Sequence, residues 1–310
     1  MSIPPLHLGT RGSALARWQA THVQSLLAAC GRACSIQVLT TSGDQRSDVP
    51  LAAIGGKGLF TLELESALLA GRLDLAVHSL KDVPSSLPEG LILGAVLERA
   101  DARDALVAAP GMRLQSLRAG ARLGTGSLRR QAQARALCPA LQIVPVRGNV
   151  DTRLRRWRAG DFDALLLAAA GLDRLGLAGT IAERLDPRLF LPAAGQGVLV
   201  LECRAGDSAV LEAVGCLHHG PTAAAVAAER ALLRRLECGC QAPVAALAQL
   251  RDGQLHLDAM VASSDGVRRL RRSAAGAAGA AETLGLQLAE SLLRDGAAAI
   301  LAQASPAPVE

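Results

Sequence analysis

The stretch Leu73-Asp74-Leu75-Ala76-Val77-His78-Ser79-Leu80-Lys81-Asp82-Val83-Pro84 holds the first residues able to do chemistry. Its apolar run reads as a buried strand ending on Lys81 and Asp82, and Pro84 stops it because proline fixes its own φ and lacks an N–H donor. In open α/β sheets ligands sit outside the carboxyl ends of the strands, so Asp82 stands where a carboxylate can act on a bound molecule. Cations fall at loops and first helical turns elsewhere in the chain: Arg11, Lys57, Lys81, Arg129, Arg130, Arg147, Arg153 and Arg174. Guanidinium forks match carboxylates with two parallel hydrogen bonds and helix N-termini favour anions, so the pattern predicts a ligand with several carboxylates. Arg155, Arg156 and Arg158 read instead as an exposed helix face.

A nucleophile candidate lies further on. Cys240 sits between Gly239 and Pro243 in a turn rather than on an apolar face, where nearby cations favour the thiolate. Other chemistries have less support. Gly55-Gly56-Lys57-Gly58 is not a P-loop, because no Ser or Thr follows the lysine and the glycine spacing is wrong. His218, His219, Cys238 and Cys240 lack the usual spacing of zinc ligands.

The elements that must position these groups can be read in order. A short strand at 4–8 leads into the turn Gly9-Thr10-Arg11-Gly12-Ser13 and a helix at 14–29, with Ser13 as its N-cap and Leu15, Trp18, His22, Leu26 and Ala29 at helical spacing. A strand at 35–41, a glycine-containing connection at 42–58 of the kind that forms a lid, and a helix at 59–70 precede the Asp82 strand. After strands at 91–97 and 105–109 the pattern restarts. Gly124-Thr125-Gly126-Ser127-Leu128 echoes Gly9 to Leu15, and Gly160-Asp161-Phe162-Asp163-Ala164-Leu165 echoes Gly71-Arg72-Leu73-Asp74-Leu75-Ala76. Two similar α/β lobes with a cleft between them follow from that repeat. In the second lobe we expect helices at 128–137 and 149–159, strands at 142–146 and 164–170, and a strand at 198–203 after Pro192-Ala193-Ala194-Gly195-Gln196-Gly197. From 221 onward a helix capped by Thr222 and reaching Leu236, a strand at 254–262 and a helix at 281–295 make a small α+β third domain, and 305–310 fray.

Composition bounds the function. A chain of 310 residues suggests two or three domains and can bury a large core. Aromatics make up 2% with no Tyr, which argues against the stacking platforms of single-strand nucleic-acid binders, and the net charge of +5 matters less than where the arginines fall. No apolar run approaches the ~20 residues of a membrane span, and no basic-then-apolar leader opens the chain. Seven irregularly spaced cysteines then read as reduced thiols, and the expectation is a cytoplasmic, soluble protein.

Taken together, Gly9-Thr10-Arg11-Gly12-Ser13-Ala14-Leu15-Ala16, Ile54-Gly55-Gly56-Lys57-Gly58-Leu59-Phe60, Asp74 to Pro84, Gly124 to Gln131, Val146-Arg147-Gly148-Asn149-Val150-Asp151-Thr152-Arg153-Leu154, Pro192 to Gly197 and Gly239-Cys240-Gln241-Ala242-Pro243-Val244 resemble, in order, the motifs of the porphobilinogen deaminases, also called hydroxymethylbilane synthases. The resemblance covers Leu8 to about Val244. It implies two periplasmic-binding-protein-like lobes with a central cleft, 1–98 with 198–216 and 103–192, and a third domain at 220–310. It also implies a dipyrromethane cofactor joined by a thioether to Cys240, onto which four porphobilinogen molecules are polymerised with loss of ammonia before hydroxymethylbilane is released. Asp82 would be the catalytic carboxylate. Lys81, Ser13, Thr125, Ser127, Arg129, Arg130, Arg147 and Gly148 would hold the cofactor, and Arg11, Arg153, Arg174, Lys57 and Gln196 the substrate. No metal, nucleic acid or membrane enters, and a monomer is the family expectation.

The residue chemistry agrees with these implications. Each pyrrole carries an acetate and a propionate, so the full chain gathers about a dozen negative charges that need interleaved cations in a low-dielectric cleft. Loss of ammonia gives a cationic azafulvene, and attack on it leaves a cationic ring; an anionic Asp82 would stabilise both and help move protons. Two departures stand out: Gly126 where the family usually has Ser, and Cys238 two residues before the attachment position. A two-lobed anion-binding protein without catalysis would explain the repeat and the arginines, but neither a carboxylate among cations nor a cysteine in a third-domain turn.

Overall fold

The computed structural model describes residues 5–41, 61–239 and 242–304. The chain begins with β1 (Leu6–Arg11), α1 (Ala14–Ala29), β2 (Cys34–Leu39), α2 (Leu62–Leu69), β3 (Leu75–Ser79) and β4 (Leu91–Val96). It then crosses to β5 (Asp104–Val107), β6 (Arg122–Gly124), α3 (Leu128–Leu137), β7 (Gln142–Val144), α4 (Val150–Arg158), β8 (Ala164–Ala168), α5 (Ala169–Arg174) and β9 (Ile181–Arg184). It returns as β10 (Leu199–Arg204) and α6 (Ser208–Gly215).

Two five-stranded sheets result, ordered β2-β1-β3-β10-β4 and β7-β6-β8-β5-β9. Their plans match. In each, three strands run parallel and the strand arriving from the other lobe inserts antiparallel to the third, β10 against β3 and β5 against β8. This exchange of strands gives the two similar α/β lobes that the echoed sequences foreshadow. The echoes have a common physical use. Gly71 and Gly160 adopt φ of +70° and +82°, and the carboxylates of Asp74 and Asp163 then accept the N–H of His7 (2.8 Å) and Arg122 (2.7 Å) at the starts of β1 and β6. Strands such as β3 and β8 are covered on both faces, so they read as continuous apolar runs rather than as alternation.

The third domain comprises α7 (Gly220–Arg235), β11 (Val244–Arg251), β12 (Gln254–Ala262), β13 (Arg269–Ala277), α8 (Ala281–Arg294) and α9 (Ala297–Ala304), with the antiparallel sheet β11-β12-β13 packed on the helices. Leu232, Leu255, Leu257, Leu288 and Leu292 fill its core. Among the described residues no helix is long and apolar enough to cross a membrane.

Several expectations change. Gly9 lies inside β1 rather than in a turn, because a Cβ there would sit 2.3 Å from Leu73 Cδ1; the glycine makes room for the core. The strand expected at 164–170 ends at Ala168, and α5 follows at once. The cap of α7 is His219, whose Nδ1 accepts from the N–H of Thr222 at 3.4 Å, rather than Thr222 itself. The short β9, the strands β11 and β13 and the helix α6 were not foreseen; β13 is rich in Arg and Ala and lacks an apolar face that a pattern could catch. The 42–58 connection and the 305–310 tail lie outside the described residues.

Candidate functional site

Asp82 closes a short 3-10 turn, Leu80–Asp82, directly after β3. Leu80 anchors that turn, being buried and donating its N–H to Val198 O at 3.0 Å, so the following two side chains face outward from the end of the sheet. Asp82 is exposed and Lys81 half-buried. Burial pulls the Lys81 ammonium down to about 8, with Asp82 opposing the shift and Arg130 adding to it. Asp82 acts across the cleft as well. Burial lowers Arg130, and lowers Arg153 to about 10, while in each case the Asp82 carboxylate works the other way. A carboxylate of the first lobe thus lies in the field of cations from both.

The second lobe supplies those cations from two helix starts. Ser127 caps α3 through the N–H of Arg130 at 3.4 Å, as Ser13 caps α1 through that of Ala16 at 3.3 Å. The turn before α4 has Gly148 at φ +98°, and its carbonyl accepts Arg153 Nε at 2.7 Å, which aims that guanidinium. Next to it, Arg147 Nη1 is buried with no hydrogen-bond partner among the described residues. A buried, unsatisfied guanidinium donor costs about 1–3 kcal/mol or more, so its presence fits a site built for an anionic group. The cofactor implied by the resemblance, with its ring acetates and propionates, has that chemistry.

Other predicted contacts are engaged within the protein. Arg129 and Arg130 both converge on Asp104, which is fully buried: Arg129 Nη1 lies 2.6 Å from Oδ2, Arg130 Nε 2.9 Å from Oδ1, and Gln196 Nε2 3.0 Å from Oδ1. Burial alone would raise the Asp104 carboxyl, but the two guanidiniums hold it far below the usual carboxylate range. Arg129 also donates to Leu191 O at 2.7 Å and Gln196 to Ala102 O at 2.7 Å, and Thr125 Oγ1 accepts from Ser127 N at 3.3 Å. Arg129, Gln196 and Thr125 are therefore buried and bonded to the loop ends in this structure. Arg174 reaches Gly197 O at 2.7 Å, and burial pulls it to about 10 against the pull of Asp173. Arg11 is half-buried at the end of β1.

His78 proves to be a core residue, its Nε2 3.0 Å from Glu202 Oε2. Lys57 and Cys240 lie outside the described residues. Gly239 and Ala242, the described residues on either side of Cys240, line a cavity of ≈ 50 Å³ together with Leu80, Lys81, Val83 and Cys238. Gly126, where a Ser was noted as usual, has no room for one: a Cβ there would meet Val146 O at 2.5 Å.

Sequence reasoning missed Asp104 and Glu229. The signal for Asp104 was an acidic residue opening an apolar strand while two adjacent arginines, Arg129 and Arg130, lacked a counter-charge nearby in the chain. Glu229 falls at helical spacing with Ala225 and Leu232, on the face of α7 that turns inward.

Comparison with known proteins gives consistent matches over the whole chain. The family model described as porphobilinogen deaminase, dipyromethane cofactor binding domain, matches residues 6–212, and that of the porphobilinogen deaminase C-terminal domain matches 223–294. Porphobilinogen deaminase of Syntrophotalea carbinolica is 52% identical over 97% of this chain and 96% of its own length. That of Desulforudis audaxviator is 52% identical over 96% of each. Among solved structures, a nutrient binding protein from Burkholderia cenocepacia bound to methionine aligns at a TM-score of 0.43 and 14% identity, covering 68% of this chain and 91% of that one.

Proposed function

The chain belongs to the porphobilinogen deaminase family, and from that premise we propose that Asp82 is its catalytic carboxylate and Cys240 its cofactor anchor. The protein is a transferase of tetrapyrrole biosynthesis that joins porphobilinogen units onto a covalently held dipyrromethane, releasing ammonia and finally hydroxymethylbilane. When bound, the dipyrromethane supplies the terminal pyrrole from which the chain is extended.

The observation that carries the assignment is the exposed Asp82 carboxylate amid Lys81, Arg130 and Arg153, cations from two lobes. Fixed cations would hold the ligand carboxylates, and the exposed Asp82 carboxylate among them would face the carbon and pyrrole nitrogens on which positive charge develops. Asp82 would accept a hydrogen bond from pyrrole N–H groups, favour departure of the protonated amine, and take up or relay the ring proton afterwards. Arg147 and Arg153, with Lys81, Arg11 and Arg130, would bind acetates and propionates. Arg129, Thr125, Gln196 and Arg174 would act from behind by fixing the loops, and Ser13, Ser127 and Gly148 by setting the helix starts and the turn. Lys57 would help cover the cleft. We further infer a cytoplasmic monomer without nucleic-acid partners: seven irregularly spaced cysteines fit reduced thiols, scarce aromatics disfavour stacking on bases, and a monomer is the family expectation.

Intact-mass measurement tests the assignment. Protein made in a cofactor-competent host carries the extra mass of two pyrrole units, Cys240→Ser lacks it, and Cys238→Ser keeps it. Asp82→Asn retains the adduct but loses about 10²–10⁴-fold in turnover. An unmodified wild-type mass, or near-normal ammonia release by Asp82→Asn, overturns the respective role.

A further inference from the structure

Glu229 is wholly buried on α7, yet its carboxylate faces three donors from three parts of the chain. Oε1 accepts Arg99 Nη2 at 2.8 Å and the N–H of Ala248 at 2.7 Å, and Oε2 accepts the N–H of Gly195 at 2.6 Å. Ala248 belongs to β11 of the third domain. Arg99 and Gly195 belong to the two connections between the lobes, β4 to β5 and β9 to β10. One side chain of the third domain therefore grips both crossings, and Arg99 reinforces the grip by donating to Gln196 O at 3.3 Å and, through its N–H, to Thr222 Oγ1 at 3.2 Å.

What Glu229 holds leads to the reaction centre. Gly195 adopts φ +70° and lies so close to Leu80 that a Cβ there would come within 2.8 Å of Leu80 Cγ. Leu80 begins the turn that ends in Asp82. The next residue, Gln196, bonds Asp104 and thereby touches the Arg129–Arg130 cluster. We propose that Glu229 is a positioning residue that pins Gly195 against Leu80, so that the domain carrying the cofactor cysteine also sets where Asp82 stands. The inference rests on the role given to Asp82 above.

Single-turnover addition of porphobilinogen to holoenzyme, with adduct mass and ammonia release recorded for every variant, tests it. Glu229→Gln keeps the shape but removes one acceptor and the charge facing Arg99. It retains the two-pyrrole adduct and slows the joining step on the order of 10²-fold, as displacement of a reacting group by about 1 Å does. KM changes by less than about twofold, since none of the cations assigned to the ligand bonds Glu229 directly. The decisive readout is a cycle with Asp82→Asn: because Glu229 acts through Asp82, Glu229→Gln slows the Asp82→Asn protein by less than about threefold. Gly195→Ala, whose Cβ crowds Leu80 while the Glu229 side chain is left as it is, gives the same pattern and decides the matter should Glu229→Gln fail to fold. Equal slowing in both backgrounds, or a wild-type rate for Gly195→Ala, overturns the proposal. A normal rate for Asp82→Asn alone would sink the Asp82 assignment instead, and the two failures are told apart by that single variant.

Discussion

Asp104→Asn perturbs the site at its most heavily bonded point. Two guanidiniums and one carboxylate, all buried, make a cluster of net charge +1, and the substitution leaves +2 with no counter-ion in contact among the described residues. Removing one partner of a buried pair costs about 3–5 kcal/mol, because the remaining charge is stranded away from water. Arg129→Met is the informative contrast. It leaves Asp104 paired with Arg130 and hydrogen-bonded to Gln196, a neutral cluster, so its cost stays below about 2 kcal/mol even though it deletes more atoms. With a urea m-value of about 2 kcal/mol per M, Asp104→Asn lowers the unfolding midpoint of the second lobe by about 2 M and Arg129→Met by less than about 1 M.

The assay is set by the two tryptophans, one per lobe: Trp157 on α4 reports the second lobe, and a Trp18→Phe background silences the first. The carboxyl is depressed in the folded state, so its contribution is complete above the unfolded value of about 3.9 and is lost only as pH falls from there toward the lower folded value. The difference between wild type and Asp104→Asn is therefore flat from about pH 5 to 8 and shrinks in acid. A reversed order of the two variants, or a shift under about 0.5 M for Asp104→Asn, refutes the reasoning.

Two further outcomes follow from the same cluster of charges. In cofactor-free Cys240→Ser protein, Lys81 gives up its proton near 8 when folded but near 10.4 when unfolded, so the unfolded chain binds more protons between these values and the urea midpoint rises with pH there; Lys81→Met abolishes the rise, and a persistent slope would show that another group is responsible. Arg147→Met costs the cofactor-free protein less than about 1 kcal/mol because Nη1 has no hydrogen-bond partner to lose among the described residues, while the gain in melting temperature between cofactor-free and holo protein shrinks; a large loss in the cofactor-free form would mean that this guanidinium is structural.

The parts of the fold legible from sequence are those written locally. Helices α1 and α3 run over the expected residues because Ser13 and Ser127 supply the capping hydroxyl at the step from loop to helix. The lobe repeat was visible because each Gly-x-apolar-Asp turn needs the same left-handed glycine and the same carboxylate to close the next strand. Gly9 and β13 were illegible for opposite reasons. The meaning of Gly9 lies in Leu73 and Leu64, more than fifty residues away, and β13 carries too little apolar patterning to announce itself.

The candidate site divides along the same line. Asp82, Lys81, Arg147 and Arg153 stand next to Pro or Gly punctuation, where a side chain offered to a ligand can be recognised from its neighbours in the chain. Asp104 and Glu229 could not be found that way, because each is defined by donors 19 to 130 residues distant. Their burial nevertheless follows from what the loops present. Cations gathered for an anionic ligand repel one another before it arrives, and Asp104 offsets that repulsion without occupying the cleft. An exposed carboxylate among those cations must be kept from collapsing onto them, which requires its turn to be held from behind; Leu80, Gly195 and Glu229 form that support. Residues proposed to meet the ligand can thus be read from local sequence, whereas the charges behind them become visible only when the three domains are brought together.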